Sequence, residues 1–127
     1  MLKIAHRGLS YFNPDNSLEA FNQAIKSDFD MIELDIQLCK NNEIIIFHDT
    51  YYLSKLIKDY SLEECQRLKM LSLDEFLSKI NSKRIKIYFD LKGSMDVCEP
   101  LVDKLMEYEV CFENIYMSTF NRHHISK

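Results

Sequence analysis

The sequence predicts an α/β fold in which a parallel sheet is covered by helices, and three observations predict it. Short runs that alternate between apolar and polar residues, typical of strands, are interleaved with runs of helical periodicity. Four of the helical runs begin with a capping residue and carry a glutamate three positions later. The 127 residues are 46% hydrophobic and 28% charged, which is the composition of a folded globular domain.

The first strand and helix are predicted near the N-terminus. Residues 2–6 form a short strand-like run. Asn16 is the predicted N-cap of the following helix, because Glu19 stands three residues after it. The buried face of this helix is predicted at positions i, i+3 and i+7, which are Leu18, Phe21 and Ile25.

A β-hairpin is predicted next. Residues 31–38 alternate between apolar and polar side chains, and residues 43–49 form a second β-rich run. Since a parallel crossover needs a dozen or more residues, the two runs are expected to pair antiparallel. The asparagines at 41–42 are the predicted two-residue turn, because asparagine tolerates positive φ. In that register Asp35 lies opposite His48.

The rest of the chain continues the alternation. Two helices capped by Ser61 and Ser72 precede a strand at residues 85–91, and a helix capped by Asp96 precedes a final strand near 115–120. This gives about four core parallel strands plus a β-hairpin arm. A complete (β/α)8 barrel has eight strands and about 250 residues. The prediction is therefore a single domain over 1–127 with the architecture of a partial TIM (β/α)8-type barrel.

Charge and composition exclude several function classes. The formal net charge of -4 gives no support to binding of nucleic acid or of an anionic membrane surface. No run of about 18 apolar residues predicts a membrane span. The N-terminus has no apolar stretch typical of a signal peptide, and the four cysteines form no CxxC pair. These observations predict a cytoplasmic protein with reduced cysteines.

Three carboxylates are expected to converge at one end of the predicted sheet. Glu33 and Asp35 point to the same face of their strand, and Asp90 ends the polar face of a later one. Carboxylates aimed at one spot repel each other unless a cation or a shared proton intervenes. Three such oxygen donors suit Ca²⁺ or Mg²⁺. Two plainer interpretations stay open: a solvated polar face for the first strand, and a loop ion pair between Asp90 and Lys92.

Two histidines flank this acidic group. His6 ends the first β-run, and His48 ends the run expected to pair with residues 31–38. Histidine exchanges protons readily near neutral pH, so the two could serve as general acid and general base. Arg7 or Lys92 could hold a phosphate oxygen. Each residue alone could equally be structural, but together they favour metal-assisted cleavage of a phosphoryl or related ester.

The ordered set of these motifs resembles the glycerophosphodiester phosphodiesterase family. The resemblance covers nearly the whole chain and rests on His6-Arg7-Gly8, Pro14-Asp15-Asn16-Ser17, Glu33-Leu34-Asp35, His48-Asp49, Asp90-Leu91-Lys92 and Ser118-Thr119-Phe120. It implies a barrel fold and the hydrolysis of glycerophosphodiesters to glycerol 3-phosphate and an alcohol. It also implies a divalent metal, Ca²⁺ or Mg²⁺.

The resemblance further implies a role for individual residues. Its implied metal ligands are Glu33, Asp35 and Asp90. Its implied acid–base pair is His6 and His48, and its implied phosphate-binding cations are Arg7 and Lys92. Three positions depart conservatively from the family pattern: Asp15 and Asp90 stand where glutamate is usual, and Ser17 stands where threonine is usual.

A larger departure is that the later strands of the family's barrel lie outside this sequence. The chain is expected to be a fragment, a short form that a second copy or a complementing chain closes, or an inactive remnant. A lysophospholipase D or a sphingomyelinase-like enzyme would keep most of the same motifs, so those relatives remain open as alternatives to a glycerophosphodiester phosphodiesterase.

Overall fold

A computed structural model describes residues 3–8, 16–80, 85–92 and 95–119. Its helices and strands alternate along the chain as the sequence predicts. In chain order they are β1 (Ile4–His6), α1 (Leu18–Lys26), β2 (Met31–Leu38), β3 (Ile44–Ile46), β4 (Tyr51–Tyr52), β5 (Lys55–Leu56), α2 (Leu62–Arg67), β6 (Leu71–Ser72), α3 (Leu73–Lys79), β7 (Lys86–Leu91), α4 (Cys98–Glu107) and β8 (Ile115–Thr119).

Four of the strands form the parallel part of the sheet. β1 pairs with β2, β2 with β7, and β7 with β8, each pair parallel. Each successive strand adds to the same edge, with helices between, which is how a (β/α)8 barrel is built. The predicted α/β fold with four core parallel strands is confirmed, and it forms part of a barrel.

The predicted hairpin arm is also present, but its register differs by one residue from the prediction. β3 pairs antiparallel with the end of β2, with Gln37 opposite Ile45, and β6 pairs with β3. The connection has three residues, 40–42, because Cys39 N donates to Glu43 O at 2.9 Å and closes the loop there. Asn41 and Asn42 both have positive φ, as expected for asparagine in such a turn.

The extra loop residue changes what lies across from the acidic strand. Phe47 N donates to the carbonyl of Asp35 at 3.0 Å, so Phe47 and not His48 is the residue opposite Asp35. The predicted pairing of Asp35 with His48 is wrong. A shift of one residue moves each side chain of a strand to the other face, so a single miscounted turn residue is enough to cause this.

Apolar side chains from the helices and the sheet form the main core. The even-numbered face of β2 is buried as predicted, with Ile32, Leu34 and Ile36 inaccessible to solvent. A smaller cluster lies under the arm and includes Cys39 and Cys65. Burial raises the pKa of the Cys39 thiol to about 12, which makes it unreactive. No helix in the described ranges has the length and apolar character needed to cross a membrane.

The helix caps agree with the sequence at two positions and differ at two others. Ser61 forms the predicted capping box with Glu64, and Ser72 caps α3. α1 is capped by Ser17, whose Oγ accepts from Ala20 N, and not by Asn16. Asp96 lies in a 3-10 turn before α4 and does not cap that helix.

Gly8 joins the end of β1 to α1 through a contact that leaves no room for a side chain. Its φ is +77°, and an added Cβ would lie 2.9 Å from backbone atoms of Ala20 and Phe21. We expect Gly8→Ala to lower the free energy of unfolding by about 1–3 kcal/mol in a urea titration. Asn22→Ala, on the exposed face of α1, is the control. An unchanged unfolding midpoint for Gly8→Ala would contradict this account of the junction.

Candidate active site

Three carboxylates meet at the carboxyl ends of β2 and β7. The two strands are neighbours in register, with Asp35 opposite Asp90, so these side chains share one face, and Glu33 lies two residues before Asp35. One oxygen from each of the three lies within 4.8 Å of the other two. Glu33 is 7% exposed and Asp35 is fully buried, which excludes the interpretation of a solvated polar face. We call Glu33, Asp35 and Asp90 the carboxylate cluster.

Two cations lie against this cluster. Lys92 Nζ is 3.2 Å from Asp35 Oδ1 and 3.0 Å from Asp90 Oδ2, and its side chain is only 2% exposed. Arg7 Nε is 3.3 Å from Asp35 Oδ2, while Arg7 N donates to Glu33 Oε1 at 3.0 Å. The Asp90–Lys92 ion pair therefore exists, but it is part of a buried network centred on Asp35. Counted with every carboxylate ionised, the three carboxylates and two cations have a formal charge of one net negative.

Asn16 also belongs to the site, although the sequence predicts it as a helix N-cap. Its Nδ2 donates to Asp35 Oδ2 at 3.0 Å, and its Oδ1 accepts from Asp35 N at 3.4 Å. Asn16 has φ 56°, a left-handed conformation that asparagine adopts more readily than most residues. This conformation, and not helix capping, explains the asparagine. Of its motif, Pro14 and Asp15 lie outside the described residues, as does Phe120 of the later motif.

The donor set fits a hard divalent cation. Carboxylate oxygens are the ligands that Ca²⁺ and Mg²⁺ prefer. Within the described part of the chain, buried Asp35 Oδ1 accepts no hydrogen bond, and Lys92 is its charged neighbour. Burial, and then the charge of Asp35, raise the pKa of Glu33, against the opposing effects of the Arg7 N–H bond and of His6. A cation among these oxygens would relieve that repulsion.

The raised pKa of Glu33 has a predictable effect on stability. A folded carboxyl group with a raised pKa binds more protons than the unfolded chain, so stability falls as pH rises from 4.5 through the raised value. Glu33→Gln removes that loss and keeps an oxygen for Arg7 N. We expect its Tm in EDTA to exceed the parent's at pH 8 and to match it near pH 4.

Thermal unfolding of both proteins between pH 4 and pH 8 checks this expectation. Glu43→Gln, an exchange outside the carboxylate cluster, is the matched control and should not reproduce the pH-dependent difference. A constant offset between Glu33→Gln and the parent across the whole pH range would show that the buried charge is not its cause.

His6 lies at the open side of the cluster. It is the last residue of β1 and stands in register with Glu33, and its Nε2 is 3.4 Å from Glu33 Oε1. Its side chain is 68% exposed, so the imidazole is accessible to a substrate. The structure thus brings together six of the residues predicted from the sequence, which are His6, Arg7, Lys92 and the three members of the carboxylate cluster.

His48 lies after β3 and not opposite Asp35, and no hydrogen bond or ion pair among the described residues joins it to the carboxylate cluster. It follows β3, and its Nδ1 is 2.8 Å from Asp49 Oδ1. Gln37, buried on the same face of β2 as the carboxylates, donates from Nε2 to Phe47 O and to Asp49 O, both at 2.8 Å. Sequence reasoning gave neither Gln37 nor Asp49 a role. Gln37 could have been identified from the sequence, because it lies on the same polar face of β2 as Glu33 and Asp35.

A cavity of about 350 Å³ opens next to the cluster. Gln37 and Lys92 line its inner side, and residues of the β4–β5 segment and of the turn before α4 line the rest, including Thr50, Leu56, Lys58, Asp96 and Val97. It is large enough for a small organic group. Lys92, which contacts Asp35 and Asp90, is the member of the network that lines this cavity. The carboxyl ends of the strands are where barrel enzymes have their active sites.

Comparison with known proteins identifies one family. The profile of the Glycerophosphoryl diester phosphodiesterase family matches residues 6–121. YhdW of Bacillus subtilis, provisionally named a glycerophosphodiester phosphodiesterase, is 33% identical over 93% of this chain and 57% of its own. A glycerophosphodiester phosphodiesterase of Caldanaerobacter subterraneus is 29% identical over 96% of this chain and 59% of its own.

A solved structure gives the same result for the fold. The Oleispira antarctica phosphodiesterase OLEI02445, in complex with the product sn-glycerol-3-phosphate, superposes with a TM-score of 0.81. It is 23% identical, and the match covers 96% of this chain and 58% of that one. The chain thus spans a little more than half the length of the proteins it matches. Because the family profile covers nearly all of its residues, the chain belongs to the glycerophosphoryl diester phosphodiesterase family.

Proposed function

We propose that this chain supplies the metal-binding and acid–base half of a site that hydrolyses glycerophosphodiesters to glycerol 3-phosphate and an alcohol. The buried carboxylate cluster, with two cations and an accessible histidine beside it, is the observation that carries the proposal. Membership of the family supports the reaction class. The product bound to the Oleispira antarctica relative supports the substrate class.

Glu33, Asp35 and Asp90 are the proposed ligands of a Ca²⁺ or Mg²⁺ ion. When bound, the ion neutralises charge that develops on the phosphoryl oxygens. The charge balance favours this use: a divalent cation would turn the single net negative charge of the network into a single positive one. That charge matches the single negative charge of a phosphodiester.

His6 and His48 are the proposed general acid and general base. They would move protons to and from the attacking and leaving oxygens. The contact between His48 Nδ1 and Asp49 Oδ1 leaves Nε2 as the ring nitrogen that can exchange a proton with substrate. His6 offers Nε2 beside Glu33, on the exposed side of the cluster.

Arg7 and Lys92 are the proposed phosphate-binding residues. Arg7 is partly exposed and lies against Asp35 at the edge of the cluster, where a guanidinium can donate to phosphate oxygens. Lys92 is more deeply placed, between Asp35 and Asp90. We propose that it adds positive charge beneath the phosphate and also keeps the two carboxylates close together.

Residues 1–127 are proposed to form one domain whose barrel needs further strands for closure. The outer edges of β1 and β8 pair with no other strand among the described residues, and the apolar Ile4, Tyr116 and Met117 on these strands are at least 40% exposed. Unpaired edges with apolar side chains favour association. A second copy of the chain or a complementing polypeptide would supply the missing strands. The four free thiols support a cytoplasmic location.

Hydrolysis of glycerophosphocholine tests the proposed function. Turnover should require Ca²⁺ or Mg²⁺, stop in EDTA, and disappear in His6→Ala. A specific activity that rises with protein concentration would show that assembly completes the site. Lysophosphatidylcholine and sphingomyelin, assayed in parallel, distinguish the related enzyme classes. Folded protein with no turnover at any concentration would overturn the claim for this chain by itself and favour an inactive remnant.

A further inference from the structure

We propose that Gln37 is a positioning residue that fixes the backbone on both sides of His48 and thereby determines the position of its imidazole. The inference rests on the proposed acid–base role of His48. It adds a residue that belongs to neither the metal-binding nor the phosphate-binding set, and that would act on the reaction only through His48.

The hydrogen bonds of Gln37 carry this inference. The amide nitrogen donates to Phe47 O and to Asp49 O, both at 2.8 Å, and these two carbonyls flank His48. Carbonyl oxygens only accept, so the orientation of the Gln37 amide is determined by its partners. One side-chain amide thus bonds the carbonyl of the residue before His48 and the carbonyl of the residue after it.

The position of Gln37 determines where His48 is held. Gln37 is 5% exposed and lies on the same face of β2 as Glu33 and Asp35. β3 ends at Ile46, so the strand pairing of β3 does not itself fix His48. Past the end of β3, the backbone hydrogen bonds between β2 and β3 are therefore replaced by hydrogen bonds from the Gln37 side chain of β2 to the backbone of residues 47 and 49. A second contact, from His48 Nδ1 to Asp49 Oδ1, then orients the ring.

Gln37→Met tests the proposal, because methionine has a similar length and no N–H donor. We expect kcat for glycerophosphocholine to fall about 10–100-fold, with KM nearly unchanged, since a displaced acid–base group affects the chemical step. In ¹H–¹³C spectra, assigned with His48→Ala, the His48 ring signals should shift or split, while Ca²⁺ affinity is retained. Gln37→Glu keeps the shape but sets a carboxylate against two carbonyls, so it should cause at least the same loss.

Tyr60→Phe is the matched control on the same arm. It removes the bond from Tyr60 Oη to Tyr52 O, another hydrogen bond from a side chain to the backbone, which does not involve the residues beside His48. We expect its kcat and its His48 signals to match the parent's. If both folded Gln37 variants keep the parent's His48 signals, Gln37 does not position this residue. If the His48 signals shift in the Gln37 variants but the parent protein shows no turnover, the positioning role is supported and the proposed function is contradicted.

Discussion

Asp35→Asn should cost about 3–5 kcal/mol of unfolding free energy and abolish binding of a divalent metal. Asp35 is fully buried, and its carboxylate lies between Arg7 and Lys92. An asparagine would remove one of the carboxylates that the buried Lys92 ammonium contacts, leaving its ion pair with Asp90. It would also remove the central charged ligand of the cluster. Urea unfolding and calorimetric titration with Ca²⁺ measure the two effects.

A double variant separates the charge from the fold. Replacing both Asp35 by Asn and Lys92 by Met removes a buried anion together with a buried cation, so we expect it to regain part of the stability but none of the metal binding. Asp103→Asn, an exposed exchange on α4, should change neither quantity. A single Asp35→Asn variant with the parent's stability and Ca²⁺ affinity would show that the network does not depend on this carboxylate.

His48→Ala is expected to reduce kcat on the order of 10²–10⁴-fold in protein that turns over, because a general acid or base contributes about that much. Its effect on metal binding should be small, since His48 is bonded to Asp49 and not to the carboxylate cluster. Steady-state hydrolysis of glycerophosphocholine gives kcat, and calorimetry gives the Ca²⁺ affinity of the same preparation.

The comparison of the two losses decides the role of His48. Asp59→Asn, an exposed exchange in the turn after β5, is a suitable control for both measurements. If His48→Ala weakened Ca²⁺ binding and turnover equally, the histidine would belong to the metal site. If neither changed, the acid–base assignment would fail, and His6 would be the remaining candidate.

The strands that hold the carboxylates could be predicted from the sequence because their pattern is local. Alternation along residues 31–38 and 85–91 gives the face of each side chain, and neighbouring parallel strands bring polar faces together. Asp35 and Asp90 consequently stand opposite each other as expected. The predicted strand and its acidic face depend on no residue distant in the chain.

Features that depend on tertiary contacts could not be predicted in the same way. The register of the arm was set by one additional loop residue, since Cys39 and not Lys40 pairs with Glu43. Asparagine is a common N-cap residue, yet the side chain of Asn16 hydrogen-bonds Asp35, nineteen residues later. In the sequence, Gln37 is one of several polar residues on β2. Its role depends on hydrogen bonds to the loop around His48, which the sequence pattern does not identify. Each of these roles requires a partner that a local pattern does not identify.

Diffraction from Mn²⁺-soaked crystals, collected at the manganese edge, tests the central claim most directly. The account predicts one anomalous peak per chain within coordination distance of carboxylate oxygens from Glu33, Asp35 and Asp90, and no peak there in Glu33→Gln. A peak at other residues, or a carboxylate cluster that keeps Lys92 between Asp35 and Asp90 and takes up no ion, would contradict the assignment of these residues as the metal centre.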